Sequence, residues 1–157
     1  METEPTIEIT RVDSSRHDGL TALSRLGADT FGYKADLGVD KGLAQLLRLR
    51  VAQINNCTYC LNLHYETARE LGLPRGKIDT LTAWWETGLF SPAERAALAY
   101  AEALTRIADT TAHSLFQPYH DELADYFEED QILDIVGIVI NMNIWTRLKL
   151  AEGAMPS

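Results

Sequence analysis

Apolar residues recur at spacings of three and four along most of the chain, the period of an amphipathic helix. The clearest stretch begins at Ser91, which is placed as an N-cap. Pro92 suits the first helical position and Glu94 completes a capping box. Ala93, Ala96, Ala97, Tyr100, Ala101 and Leu104 then form one face whose small side chains admit a close neighbour, while Glu102 and Arg106 are spaced to pair on the outside. The same period predicts helices over 17–33 (Leu20, Leu23, Leu26), 40–55 (Leu43, Leu46, Leu47, Ile54) and 57–71 (Leu61, Ala68, Leu71). Further helices are predicted over 75–87, with Ile78, Leu81 and Trp85 on one side, and 116–127, with Phe116, Tyr119, Leu123 and Tyr126. Gly72-Leu73-Pro74 ends the segment before 75–87. Residues 129–150 are apolar on most sides, which predicts a buried central helix. The β-branched run Ile135–Ile140 would also suit a strand. Its apolar positions continue to Met142 and Ile144, however, and no period-2 partner occurs elsewhere, so helix is predicted. The expected organisation is an N-terminal tail over 1–15, one all-α domain over 16–152 and a short tail over 153–157. Ile7, Ile9 and Val12 are expected to give the first tail a short extended contact.

A chain of 157 residues is a length for one domain and can bury about 70% of the surface it exposes unfolded. The longest apolar runs, Ala96–Ala101 and Ile135–Ile140, are too short to cross a bilayer. A net charge of −9 repels phosphate backbones and anionic lipid, so neither nucleic acid nor membrane is an expected partner. The first ten residues hold Glu2, Glu4 and Glu8 and no Lys or Arg, unlike a secretory signal, and a cytoplasmic location is expected.

There are two cysteines, in Cys57-Thr58-Tyr59-Cys60. In a reducing compartment such a pair points to redox chemistry or metal binding rather than to a staple. If Asn56 caps a helix, Cys57 takes its first position and Cys60 its first turn, where free N–H groups and the helix dipole stabilise a thiolate. Residues three apart share a face, so the sulfurs can bond. His64 continues the same stripe, where its imidazole would take a proton from Cys60 or steady its thiolate. No metal is predicted: structural zinc takes four ligands, and the spacing of His17, His113 and His120 recommends none of them as a fourth. The bland reading is two inert core cysteines beside an ordinary helix histidine. Trp84 and Trp85 read as core plus interface. Arg147, inside an apolar stretch, is expected to be buried and to need an acceptor, with a carboxylate or carbonyl of a second subunit as candidate.

The stretch Leu46-Leu47-Arg48-Leu49-Arg50-Val51-Ala52-Gln53-Ile54-Asn55-Asn56-Cys57-Thr58-Tyr59-Cys60 with His64 resembles the AhpD-like branch of the carboxymuconolactone decarboxylase family. The resemblance continues through Ala83-Trp84-Trp85, through Phe90–Leu98, through Glu102-Ala103-Leu104-Thr105 and through Ile140–Leu148, roughly residues 20–150 in all. It implies an all-α AhpD-like helical bundle, a homo-oligomer (trimer or hexamer) and alkylhydroperoxidase or disulfide-reductase chemistry. No cofactor is implied beyond a redox-active disulfide and an external dithiol reductant, thioredoxin-like or lipoyl. By the same resemblance Cys60 attacks the peroxide, Cys57 resolves the sulfenic acid and His64 relays protons. Two positions depart from the family pattern. Gln45 stands where the relay carboxylate is expected, and Tyr59 stands where a histidine lies between the cysteines. Weak peroxide turnover is therefore expected, because neither side chain is an efficient proton carrier near neutral pH. An antiparallel turn near Asn55-Asn56 would bring Gln45 beside His64. The alternative is a helical oligomer of reduced activity that binds a small ligand or a protein partner.

Overall fold

The computed structural model describes Ile9 and residues 11–156. Seven α-helices run in order: α1 Asp18–Phe31, α2 Lys41–Asn55, α3 Thr58–Glu70, α4 Arg75–Thr80, α5 Pro92–Thr105, α6 Phe116–Ala124 and α7 Glu129–Glu152. No strand occurs among the described residues, and Ile135–Ile140 lies within α7. Short 3-10 segments cover Ser14–Arg16, Leu81–Glu86 and Thr110–Leu115. None of the helices is long and apolar enough to cross a membrane.

The capping chemistry works as the residue types dictate. The Ser91 hydroxyl accepts from the Glu94 N–H while the Glu94 carboxylate accepts from the Ser91 N–H, closing the box at the start of α5. Glu128 and Gln131 close a second one at the start of α7.

The central helix is α2, not the last helix. Ten consecutive residues, Leu43–Ala52, are buried, because α3, α5 and α7 each pack against α2. Helix α7 buries Ile132, Ile135, Ile138, Val139 and Met142 against this core and leaves its opposite apolar side uncovered. Leu133 and Ile140 there are 57% and 55% exposed. The α1 leucines Leu20, Leu23 and Leu26 also face outward, since α1 meets α7 through its small residues. A Cβ at Gly137 would overlap the Phe31 ring, and one at Gly27 would overlap the Asn141 amide, so both glycines permit this close approach.

Three further expectations are corrected and one is extended. The predicted 75–87 helix breaks where Ala83 leaves helical backbone geometry, and the break turns Trp84 inward and leaves Trp85 exposed. The 116–127 helix ends at Ala124, so Tyr126 is exposed rather than on the buried side with Leu123. Glu102 does meet Arg106, Oε2 to Nη1 at 3.9 Å with Arg106 half exposed, but it also reaches inward. Its Oε1 accepts from Arg50 Nε at 2.6 Å and from Trp84 Nε1 at 2.9 Å, a nearly buried pair that ties α2 to α5. Arg147 is exposed and donates to the carbonyl and side-chain oxygen of Asn143 one turn back. Of the N-terminal contact, Ile7 lies outside the described residues, Val12 is exposed, and Ile9 packs at Gly153. Arg11 there donates to the Leu150 carbonyl at 2.6 Å.

Candidate functional site

Helices α2 and α3 are joined by one residue in left-handed backbone geometry, Asn56 with φ 50°. Asn is among the few non-glycine residues that tolerate it. Asn56 therefore ends α2, and the cap of α3 is Cys57 itself, one position later than the sequence reading placed the helix start. Cys57 Sγ accepts from the Cys60 N–H at 3.3 Å, in the role an N-cap hydroxyl usually fills. The Asn55 side chain donates to Asn143 Oδ1 at 3.0 Å, which anchors this turn to α7.

Cys57 and Cys60 are joined as a disulfide with a Cα–Cα distance of 5.2 Å, inside the usual range for such a bridge. Both residues are buried, at 1% and 2% exposure, but they differ in what they face. Cys60, not Cys57, lines a cavity of about 360 Å3 shared with His64, Tyr33, Arg48, Tyr59 and Trp145. Thr146 Oγ1 lies 4.0 Å from Cys60 Sγ.

His64 sits one turn beyond Cys60, buried at 6% exposure. Its Nδ1 has two neighbours. The Tyr33 hydroxyl lies 2.6 Å away, and Gln45 Nε2 lies 3.4 Å away while donating to the His64 carbonyl at 3.0 Å. Burial raises the Tyr33 pKa above its ordinary value, so the phenol keeps its proton at neutral pH. Two hydrogen-bearing groups therefore face Nδ1, which makes Nδ1 the acceptor and leaves the ring proton on Nε2.

Burial, with the Arg48 charge nearby as a second cause, lowers the His64 pKa to about 4. A ring with that pKa is uncharged at neutral pH, so His64 faces the cavity as a neutral imidazole. Gln45, wholly buried on α2, does reach His64 across the α2–α3 hairpin. Tyr59 lines the cavity with the Lys149 ammonium 4.8 Å over its ring centroid.

Three contributors escaped the sequence reading. Tyr33 lies in the loop after α1, 31 residues from His64, and nothing in its surroundings marks it. Arg48 had a signal: it stands three residues after Gln45 in an otherwise apolar stretch, so the two polar side chains share a helix face. Asn141, on α7, lines the cavity and packs its Oδ1 against Gly27 of α1. Among the described residues, no group of three or more His, Cys, Asp or Glu side chains is arranged to hold a metal ion.

The model of the carboxymuconolactone decarboxylase family matches residues 19–103. The uncharacterized protein YdfG of Bacillus subtilis is 31% identical over 77% of this chain and 80% of its own length. YnjA of Escherichia coli, also uncharacterized, is 28% identical over 72% of this chain and 60% of its own. Among solved structures, an Agrobacterium tumefaciens protein of unknown function, proposed as an antioxidant-defence AhpD protein, superposes with a TM-score of 0.78. It is 23% identical, and the match covers 95% of this chain and 99% of that one. A peroxidase-related protein from Ralstonia eutropha with an alkylhydroperoxidase AhpD core gives 0.75 at 19% identity, over 92% and 74% of the two chains. The debrominase Bmp8 gives 0.70 at 20% identity, over 97% and 93%. At these identities the structural matches establish the AhpD-like fold.

Proposed function

The chain belongs to the carboxymuconolactone decarboxylase family, and within its AhpD-like architecture we propose a thiol-dependent oxidoreductase that reduces an organic hydroperoxide or exchanges thiol for disulfide. The observation that carries this reading is the Cys57–Cys60 pair at the start of α3, with Cys60 alone of the two lining the cavity that His64 also lines. In the reduced protein, the Cys60 thiolate attacks the O–O bond. An S–O bond forms, the O–O bond breaks and the alkoxide leaves as an alcohol. Its proton comes from His64 Nε2, the Tyr33 hydroxyl makes up the loss at Nδ1, and solvent returns to Tyr33 the proton that Cys60 released on becoming a thiolate. The Cys57 thiol then attacks the sulfenic acid of Cys60, forming the disulfide and releasing water. An external dithiol, thioredoxin-like or lipoyl, supplies two electrons and two protons to restore both thiols. The uncovered apolar faces of α1 and α7 support a homo-oligomer, and the negative net charge fits a cytoplasmic protein without nucleic-acid partners.

Peroxide consumption coupled to a dithiol, with sulfenic acid trapping, tests the assignment. Cys60→Ser should abolish the reaction, and Cys57→Ser should leave a trappable sulfenic acid on residue 60. A trapped species on Cys57 instead would reverse the roles. Thiols unreactive toward both peroxide and disulfide would leave the non-catalytic ligand-binding oligomer as the better reading.

A further inference from the structure

Helix α2 carries two buried arginines, Arg48 and Arg50, each 5% exposed. Arg50 has a carboxylate, with Glu102 Oε1 at 2.6 Å. Arg48 has none among the described residues. Its Nη2 donates to the Phe31 carbonyl at 3.0 Å, its Nη1 lies 3.4 Å from Gln45 Oε1, and its Nε has no partner. The Tyr33 ring, 4.8 Å from the guanidinium, adds a cation–π contact but no negative charge. Buried charges are ordinarily paired, because an uncompensated one forfeits its hydration for nothing. The difference between the two arginines is location: Arg48 lines the Cys60 cavity and Arg50 does not.

The cavity also carries Lys34 and the exposed Asp29, and Lys149, which pairs with Glu152 at 3.1 Å, so Arg48 is its one buried charge without a carboxylate among the described residues. Asn141 also lines it, although its Oδ1, a buried acceptor without a donor among the described residues, packs against Gly27. The remaining surface is largely apolar, from Leu63, Met142 and Trp145, and about 360 Å3 suits a ring-sized or short-chain organic body.

We propose that this cavity takes an organic substrate with an apolar body and a carboxylate, and that Arg48 pairs with the carboxylate while the reactive group lies at Cys60. The identity of that reactive group rests on the oxidoreductase reading above, but the carboxylate subsite does not. The covalent step is unchanged, because the carboxylate is bound and not transformed.

The oxidised wild-type protein, which cannot react with peroxide, is titrated calorimetrically with 4-isopropylbenzoate and with its uncharged amide. The acid should bind about 10- to 100-fold more tightly, the range of a charge-assisted hydrogen bond in a buried site. Arg48→Gln should bring the two ligands to parity and Arg48→Lys should keep part of the preference. Equal wild-type affinities would overturn the subsite whether or not either variant folds. A second readout is the His64 ring followed by NMR. A carboxylate beside Arg48 should raise the His64 pKa above about 4, and the amide should leave it in place. Turnover of cumene hydroperoxide and its 4-carboxy analogue separates the two claims. Acid binding without turnover of either, and with thiols also inert toward a small disulfide, would reject the oxidoreductase and keep the subsite, whereas turnover of both with equal kcat/KM would do the opposite.

Discussion

The Tyr33 hydroxyl lies 2.6 Å from Nδ1 of His64 and couples this ring to a group that can pass it a proton. The sequence alone names Gln45 as the partner of His64, and Gln45 is indeed there, but at 3.4 Å it is the longer of the two contacts to Nδ1. Tyr33 supplies what an amide cannot, an O–H that exchanges its proton with the ring.

Tyr33→Phe removes the hydroxyl and keeps the ring over Arg48. Loss of a positioned proton donor should lower the peroxide rate by at least ~10-fold, toward the low end of general-acid effects. Reaction of the reduced thiols with a small disulfide reagent should change little, because that reaction needs no proton from His64. A matching fall in both rates would mean that Tyr33 acts only on the packing of the site. NMR of the ring nitrogens checks the tautomer directly.

His64 links stability to pH. Its folded pKa of about 4 lies below the ordinary value of 6.5, so between these limits the unfolded chain binds the proton that the folded chain refuses. Stability should therefore fall as pH drops through 6.5, and the loss should be complete below about 4, at up to ~3 kcal/mol. His64→Leu should flatten that part of the profile, measured by denaturant unfolding at pH 4, 5 and 7. The same depressed pKa predicts no inflection near 6.5 in the wild-type peroxide rate.

Gln45→Glu restores a carboxylate between His64 and Arg48. The negative charge should raise the His64 pKa and increase peroxide turnover by ~10-fold or more, part of the rate that general acid–base help typically supplies. Arg48 Nη1 already lies 3.4 Å from this side chain, so the new carboxylate would also have a cation to pair with. A raised His64 pKa with an unchanged rate would show that the proton takes another route. An unchanged pKa would show that Arg48 absorbs the charge entirely.

Leu133 and Ile140, both more than half exposed on α7, should lie in a contact between copies of the chain. Light scattering at micromolar concentration should give a mass of more than one chain. Ile140→Lys should lower it, since a charge at a buried contact is strongly disfavoured. A wild-type monomer would contradict the expected assembly.

Much of this molecule was legible in the order of its residues. Helix positions followed from period and caps, as Ser91, Pro92 and Glu94 show, because the hydrogen bonds that make a helix connect near neighbours in the chain. The shared face of Cys60 and His64 followed from the same period, and the Gln45–His64 contact from a turn too short to place it elsewhere. What the sequence could not decide is which of two similar residues is buried and against what. Arg48 and Arg50 stand two apart on one helix. Only the packing of α5 gives Arg50 its carboxylate, and only the cavity leaves Arg48 without one. Trp84 turned inward and Trp85 outward because Ala83 breaks the helix between α4 and α5. The leucines of α1 face out because small residues, Gly27 and Gly137, let the opposite side of α1 meet α7. His64 lost its basicity to burial and to the Arg48 charge that α2 brings near it. Periodicity is a property of a few adjacent residues, whereas burial and charge are sums over atoms that the fold collects from distant parts of the chain.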